Sequence, residues 1–201
     1  MKKNTPNLED QNSFEKVLKT IDIVKANQKA LVILIPVFLM YFIPFYMVWQ
    51  DSVSIKEMLK PDSWMSTLKW GLIFFAGIIA HELVHGITWA LFAEKGFQSI
   101  RFGVMWKMIT PYCHCKEPLQ IKYYLIGAIT PFVIVGLLPA VYAIVVGSIG
   151  WLLLGIFFTI GAIGDFMIIN LLRTEKKTDY ALDHPSEAGC FVYREIVNKH
   201  M

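Results

Sequence analysis

Apolar residues gather into four long runs along this chain, roughly residues 29–49, 68–93, 121–147 and 150–172, with short polar stretches between them. At 1.5 Å per residue each run is long enough as a helix to cross about 30 Å of hydrocarbon. The pattern therefore predicts an all-α polytopic membrane protein with about four transmembrane helices. Ahead of them, Phe14, Val17, Leu18, Ile21 and Val24 recur at three- and four-residue spacings among lysines. This predicts an amphipathic helix lying on the inner leaflet or packed on a loop. Between the first two runs, Ser52 to Ser66 reads as an external loop with an interfacial helix. Residues 98–112 break the helical pattern, because Ile100, Phe102, Val104, Trp106, Ile109 and Tyr112 partly alternate, interrupted by Gly103 and Pro111. A small cytoplasmic β-hairpin between the second and third spans is expected there.

Near the end, Asp183-His184-Pro185-Ser186-Glu187 has the form of a capped helix start, and Cys190, Phe191, Tyr193 and Ile196 follow at approximate helical spacing. The expected organisation is a leader over 1–28, a four-span membrane domain over 29–172, and a tail over 173–201 with a short helix. Pro36, Pro44, Pro131 and Pro139 lie inside the first and third runs. Each leaves a backbone carbonyl without its usual partner, so kinked helices packed in a bundle are expected.

Composition agrees with a membrane class. With 55% hydrophobic residues in 201, the chain is too apolar for an ordinary soluble domain. The first apolar run follows a polar leader and is too long for the core of a signal peptide. Of the 19 Lys and Arg residues, all but Lys56, Lys60 and Lys69 lie in the leader, the central loop or the tail or within two residues of them. By the positive-inside rule both termini and the central loop face the cytoplasm of a multi-pass protein of the cell membrane. The net charge of +3 then reflects topology, and no basic patch interleaved with aromatics suggests nucleic acid. Three cysteines, Cys113, Cys115 and Cys190, are an odd number and are expected as cytoplasmic thiols.

The candidate chemistry sits inside the second run. His81-Glu82-Leu83-Val84-His85 is an HExxH pattern, in which two imidazoles four residues apart share a helix face and can bind one Zn²⁺ while Glu82 serves as general base. The bland alternative is a pair of core histidines with a partnered glutamate. Ionisable side chains at membrane depth cost about 2.5–3.5 kcal/mol each, however, and are rarely kept without a task. A catalytic zinc needs a third protein ligand and an open position. Asp165 is the only acid in the fourth run and lies at about the depth of His85 measured from the cytoplasmic ends of the two spans. Gly161 and Gly164 are expected to let the fourth helix approach the second closely. Zinc binding of about 10 kcal/mol or more would offset the buried polarity of such a ligand set.

The combination resembles the site-2-protease class of intramembrane metalloproteases, with HExxH on one span, an aspartate on a later span, and a Gly- and Pro-containing span between them. Gly127-Ala128-Ile129-Thr130-Pro131 is similar to that intervening stretch. More closely, His81 to Gly86, Pro111 to Pro118, Gly164-Asp165 and Asp183-His184-Pro185 together resemble an uncharacterised bacterial family of small membrane zincins. The resemblance implies a substrate held beside the hairpin and the third span, with Thr130, Pro131 and His114 as candidate substrate contacts. Cys113-His114-Cys115 suits a loop lining the entrance, structural packing or a second metal site. As a strand it would turn the two cysteines to one face and His114 to the other.

The function expected is a zinc-dependent endopeptidase acting within the lipid bilayer on a membrane-anchored protein or peptide. The alternative is a catalytically silent, zinc-stabilised membrane scaffold. Glu82 argues against it, because a structural zinc site needs no base beside its ligands. A metal transporter has no acidic or His-rich loop to support it.

Overall fold

All four apolar runs become helix. The computed structural model describes residues 8, 13–52, 63–106, 110–185 and 187–196. Helix α1 spans Ile23–Trp49, α2 Trp64–Ala90, α3 Ile121–Pro131, α4 Leu138–Val146, α5 Ile149–Gly161 and α6 Ile163–Leu172. A π-helical stretch over Phe132–Leu137 carries α3 into α4, so Pro131 is followed by a widened turn rather than a break. Leu31–Trp49, Trp64–Ala90, Ile121–Val146 and Ile149–Leu172 are long and apolar enough to cross a membrane by length and composition. The external loop read over 52–66 falls mostly outside the described residues.

The protein is mostly helical, as expected, but among the described residues six strands, more than the one expected hairpin, replace an all-α chain. Strands β2 (Ile100–Met105) and β3 (Thr110–Cys115) form the expected hairpin between the second and third long helices. Pro111 does not interrupt it. In a two-stranded ribbon both strands have an outer edge, where a residue without an N–H is tolerated. Strands β1 (Phe14–Thr20), β4 (Leu119–Gln120), β5 (Tyr180–Asp183) and β6 (Gly189–Glu195) build an antiparallel sheet in the order β1-β6-β5-β4.

Two helices expected at the ends of the chain are therefore strands. The apolar spacing of the leader suits a helix, but an isolated helix of that length is marginal. Here the backbone of Phe14 to Thr20 instead finds a continuous ladder against Glu195 to Gly189. Gly189 makes the approach possible, since a Cβ there would lie 2.2 Å from the Lys19 carbonyl oxygen. In the tail, the His184 Nδ1 accepts the Glu187 N–H at 2.9 Å, and the His184 N–H donates to the Gly189 carbonyl at 3.0 Å. His184 thus closes the β5–β6 turn instead of opening a helix. The aromatic and β-branched run that follows suits a half-buried strand.

The chain divides into two compact units, and one of the divisions falls between His81 and Glu82, within the continuous α2. The first unit takes residues 27–81 and 131–163. Its core gathers Tyr41, Phe45, Ala140, Ala143, Leu152 and Ile156. Two of its polar side chains find partners within it. The Tyr41 hydroxyl lies 3.2 Å from Thr159 Oγ1, and the Trp49 indole N–H donates to the Ile144 carbonyl at 2.8 Å. Gly147, at φ 72°, ends α4 in the left-handed conformation, its N–H donating to the Ala143 carbonyl at 2.9 Å before the chain turns into α5.

The second unit takes residues up to 26, 82–130 and from 164 onward. Its core joins Trp89, Ile100, Cys113, Cys115, Ile121, Tyr124, Leu172, Cys190 and Val192, drawn from the end of α2, both sheets, α3 and α6. Glu175, just past α6, ties its strands together. Its buried carboxylate accepts hydrogen bonds from Arg194 Nε at 2.8 Å and Nη2 at 3.0 Å and pairs with Lys19, which also donates to the Leu171 carbonyl at 3.1 Å. The Arg194 hydrogen bonds, outweighing burial and aided by Lys19, pull the Glu175 carboxyl from 4.5 down to about 2. A carboxyl depressed in the folded state adds stability above its unfolded value and loses it as pH falls towards its folded value. We expect thermal stability to decline between pH 4.5 and about 2, and Glu175→Gln to flatten that part of the profile in melting curves.

Candidate metal centre

Helix α2 carries the whole HExxH pattern, so 3.6 residues per turn put His81 and His85 on one face. His85 is buried, with 5% of its surface exposed. Its ring stacks on Trp89 one turn later, centroids 5.0 Å apart, and Trp89 in turn stacks on Tyr124 of α3 at 5.2 Å. Two ring N–H groups of α2 reach backbone carbonyls of α3. His85 Nδ1 lies 2.9 Å from the Gly127 oxygen, and Trp89 Nε1 donates to the Tyr124 oxygen at 3.0 Å. This docking needs a glycine at 127, where a Cβ would stand 2.0 Å from Trp89 Nε1. On the other side of α2, a Cβ on Gly86 would meet Phe102 at 2.6 Å, so the glycine after the motif makes room for β2.

A carbonyl oxygen only accepts, so the Nδ1 of His85 carries a proton, and Nε2 is the ring nitrogen available to a metal. That nitrogen faces Asp165 Oδ1 at 3.2 Å. Asp165 lies in the first turn of α6, just beyond the turn at Ala162 that interrupts the fourth long helix, where a carboxylate is favoured by the helix dipole. Ligand atoms of His81, His85 and Asp165 all lie within 4.8 Å of one another.

These residues fit a zinc ion. Ligands about 2.0–2.1 Å from a tetrahedral zinc stand about 3.3 Å apart, close to the separation of His85 from Asp165. Two neutral imidazoles and one carboxylate form a zinc ligand set that keeps a fourth position open.

Gly161 and Gly164 do not act as expected. A Cβ on either would meet nothing within 4 Å, so they are not the points of close helix approach. The contact that seats His85 is made by α3 instead, at Gly127.

The candidate substrate contacts fare unevenly. Thr130 donates its hydroxyl to the Ile126 carbonyl at 2.6 Å, within its own helix. Pro131 is fully buried and offers no surface for direct contact. His114 is half-buried on β3, its ring 4.4 Å from that of Tyr112. Burial lowers its pKa, with Arg101 and His184 acting the same way against the pull of Asp183.

Cys113 and Cys115 lie buried on the opposite face of β3, as strand geometry requires, and all three cysteines are free thiols. Burial pushes Cys115 and Cys190 up to about 12 and Cys113 higher still, Cys113 also feeling the charge of Glu82. Among the described residues, His81, His85 and Asp165 form the one group of this kind able to hold a metal, and the cysteines take no part in it.

One residue plays a part that the local pattern hid. Asp183, read as a helix cap, ends β5 with its carboxylate buried. It accepts the Cys115 N–H at 2.6 Å and the Tyr124 hydroxyl, joining β3 and α3. Burial raises its carboxyl above the usual range despite both hydrogen bonds. The available signal was a lone acid closing the apolar run Tyr180-Ala181-Leu182.

A helix-borne His-Glu-x-x-His with a carboxylate brought up from a later helix is the ligand set of a zincin-type centre. Residues 74–180, just over half of the chain, match the family described as "Putative zincin peptidase", and the chain belongs to that family. The match runs from α2 ahead of His81 to the start of β5, and includes Glu82, Gly127, Pro131 and Asp165. Membership points to a zinc peptidase. No curated protein and no solved structure matches the chain.

Proposed function

We propose that this protein is an intramembrane zinc endopeptidase of the site-2-protease kind, hydrolysing a peptide bond in a membrane-anchored protein or peptide. Both termini and the β2–β3 hairpin face the cytoplasm in this reading. The observation that carries it is the meeting of His81, His85 and Asp165 within 4.8 Å on helices apolar enough to cross a membrane. His81, His85 and Asp165 hold the metal. A bound Zn²⁺ supplies Lewis acidity, lowering the pKa of water to about 7 and polarising a carbonyl.

Glu82 follows His81 on the helix, half-buried, and takes no part in the ligand group. It accepts a proton from the attacking water as the new C–O bond forms, then gives that proton to the amine nitrogen as the C–N bond breaks. The Gly127 carbonyl keeps the His85 ring turned so that Nε2 faces the centre.

The test uses the full chain in lipid vesicles. About one zinc per chain is expected, together with cleavage of single-span peptides inside their apolar segment, abolished by chelation and seen as new termini by mass spectrometry. Cleavage of soluble peptides alone would defeat the intramembrane assignment. A preparation with no zinc affinity would defeat the metal assignment.

A further inference from the structure

Within α3, the Gly127 carbonyl would ordinarily accept the N–H of the residue four positions on. That residue is Pro131, which has no N–H. The Gly127 oxygen instead takes His85 Nδ1 at 2.9 Å, while Pro131 itself is fully buried and followed by the π-helical turn at Phe132–Leu137. The neighbouring carbonyl that receives Trp89, that of Tyr124, has Ala128 four residues on, which does carry an N–H. The two contacts differ in kind. The helix gives up one internal hydrogen bond at the position where a histidine needs an acceptor.

We infer that Pro131 is a positioning residue for the metal centre: by withholding its N–H it reserves the Gly127 carbonyl for His85, and so sets which ring nitrogen faces Asp165. This rests on the metal assignment made above. It reassigns Pro131 from contact with substrate to control of a ligand, through the backbone of a residue four positions away. A ring N–H held by a carbonyl fixes tautomer and orientation, and loss of such an outer partner costs about 10–100-fold in metal affinity.

The inference separates the missing N–H from the shape of the proline ring. Pro131→Ala restores the N–H. Lactic acid at 131, introduced as a backbone ester, lacks both the N–H and the ring. Zinc affinity of the full chain in detergent, measured by chelator competition, is expected to fall about 10–100-fold in Pro131→Ala and to return to the wild-type value in the ester. Equal affinity in all three proteins would overturn the inference, as would equal loss in Pro131→Ala and the ester, which would make the ring the cause. A second readout needs neither zinc nor a mutant. In the metal-free wild type at alkaline pH, ¹⁵N spectra should show His85 protonated at Nδ1, and protonation at Nε2 would overturn the inference. A wild type that bound no zinc but showed the Nδ1–H form would defeat the metal assignment while leaving the backbone contact standing.

Discussion

Glu82→Gln keeps its zinc and stops hydrolysis. The amide preserves the size of the side chain and leaves His81, His85 and Asp165 untouched, so metal content should equal that of the wild type. It cannot accept a proton from water, and removal of a general base costs about 10²–10⁴ in rate. The measurement pairs zinc analysis of the purified protein with proteomics of membrane fragments from cells carrying either form. Fragments present with wild type should vanish with Glu82→Gln and their intact precursors should accumulate. An unchanged fragment pattern would favour the scaffold reading, in which the site holds zinc for structure alone.

Asp165→Ala has the opposite signature, loss of the metal itself. His81 and His85 share one helix, and Asp165 is the ligand contributed from elsewhere in the chain, 3.2 Å from His85 Nε2. Zinc binding of about 10–16 kcal/mol shared among three protein ligands assigns several kcal/mol to each, so affinity should fall at least ~100-fold. Asp165→Asn should lose most of the affinity as well, because a neutral amide oxygen is a weaker ligand than a carboxylate. Chelator competition measures both. Full retention of zinc in Asp165→Ala would remove this residue from the centre.

The long-range order of this protein was legible where one physical requirement dominates. A run of apolar residues long enough for a bilayer has helix as its favoured form, because hydrocarbon offers the backbone no partner. The four long helices follow the four runs closely. The hairpin between the second and third was legible because alternation is a strand signal that a helix cannot reproduce. At the two ends no such requirement acts. Phe14 to Thr20 and Gly189 to Glu195 carry spacings compatible with a helix, yet the first becomes a strand on the ladder of the second, which itself also pairs with Tyr180 to Asp183. The pairing of the first with the second joins segments from opposite ends of the chain, so no local window contains it.

The site divides along the same line. His81, Glu82 and His85 were readable because helix periodicity alone brings two imidazoles together. Asp165 was reached by matching depth along two spans, an argument that names a level but not a neighbour. Gly161 and Gly164 were given a packing role on composition, and open space beside both shows that small residues do not by themselves mark a helix contact. The roles of Gly127, Pro131 and Asp183 could not be read. Each depends on where a backbone carbonyl or a carboxylate finds its partner in another element: His85 for Gly127, Cys115 and Tyr124 for Asp183.

By itself, then, the sequence determined the apolar helices and the two-histidine motif, since both follow from forces acting within a stretch of chain: the cost of unpaired backbone in an apolar medium and the 3.6-residue turn. Tertiary structure alone decided that the chain ends form a sheet, that Asp165 faces His85, and that a carbonyl released by Pro131 holds the imidazole. Those outcomes depend on hydrogen-bond partners distant in sequence, and a partner is specified only once the elements have packed.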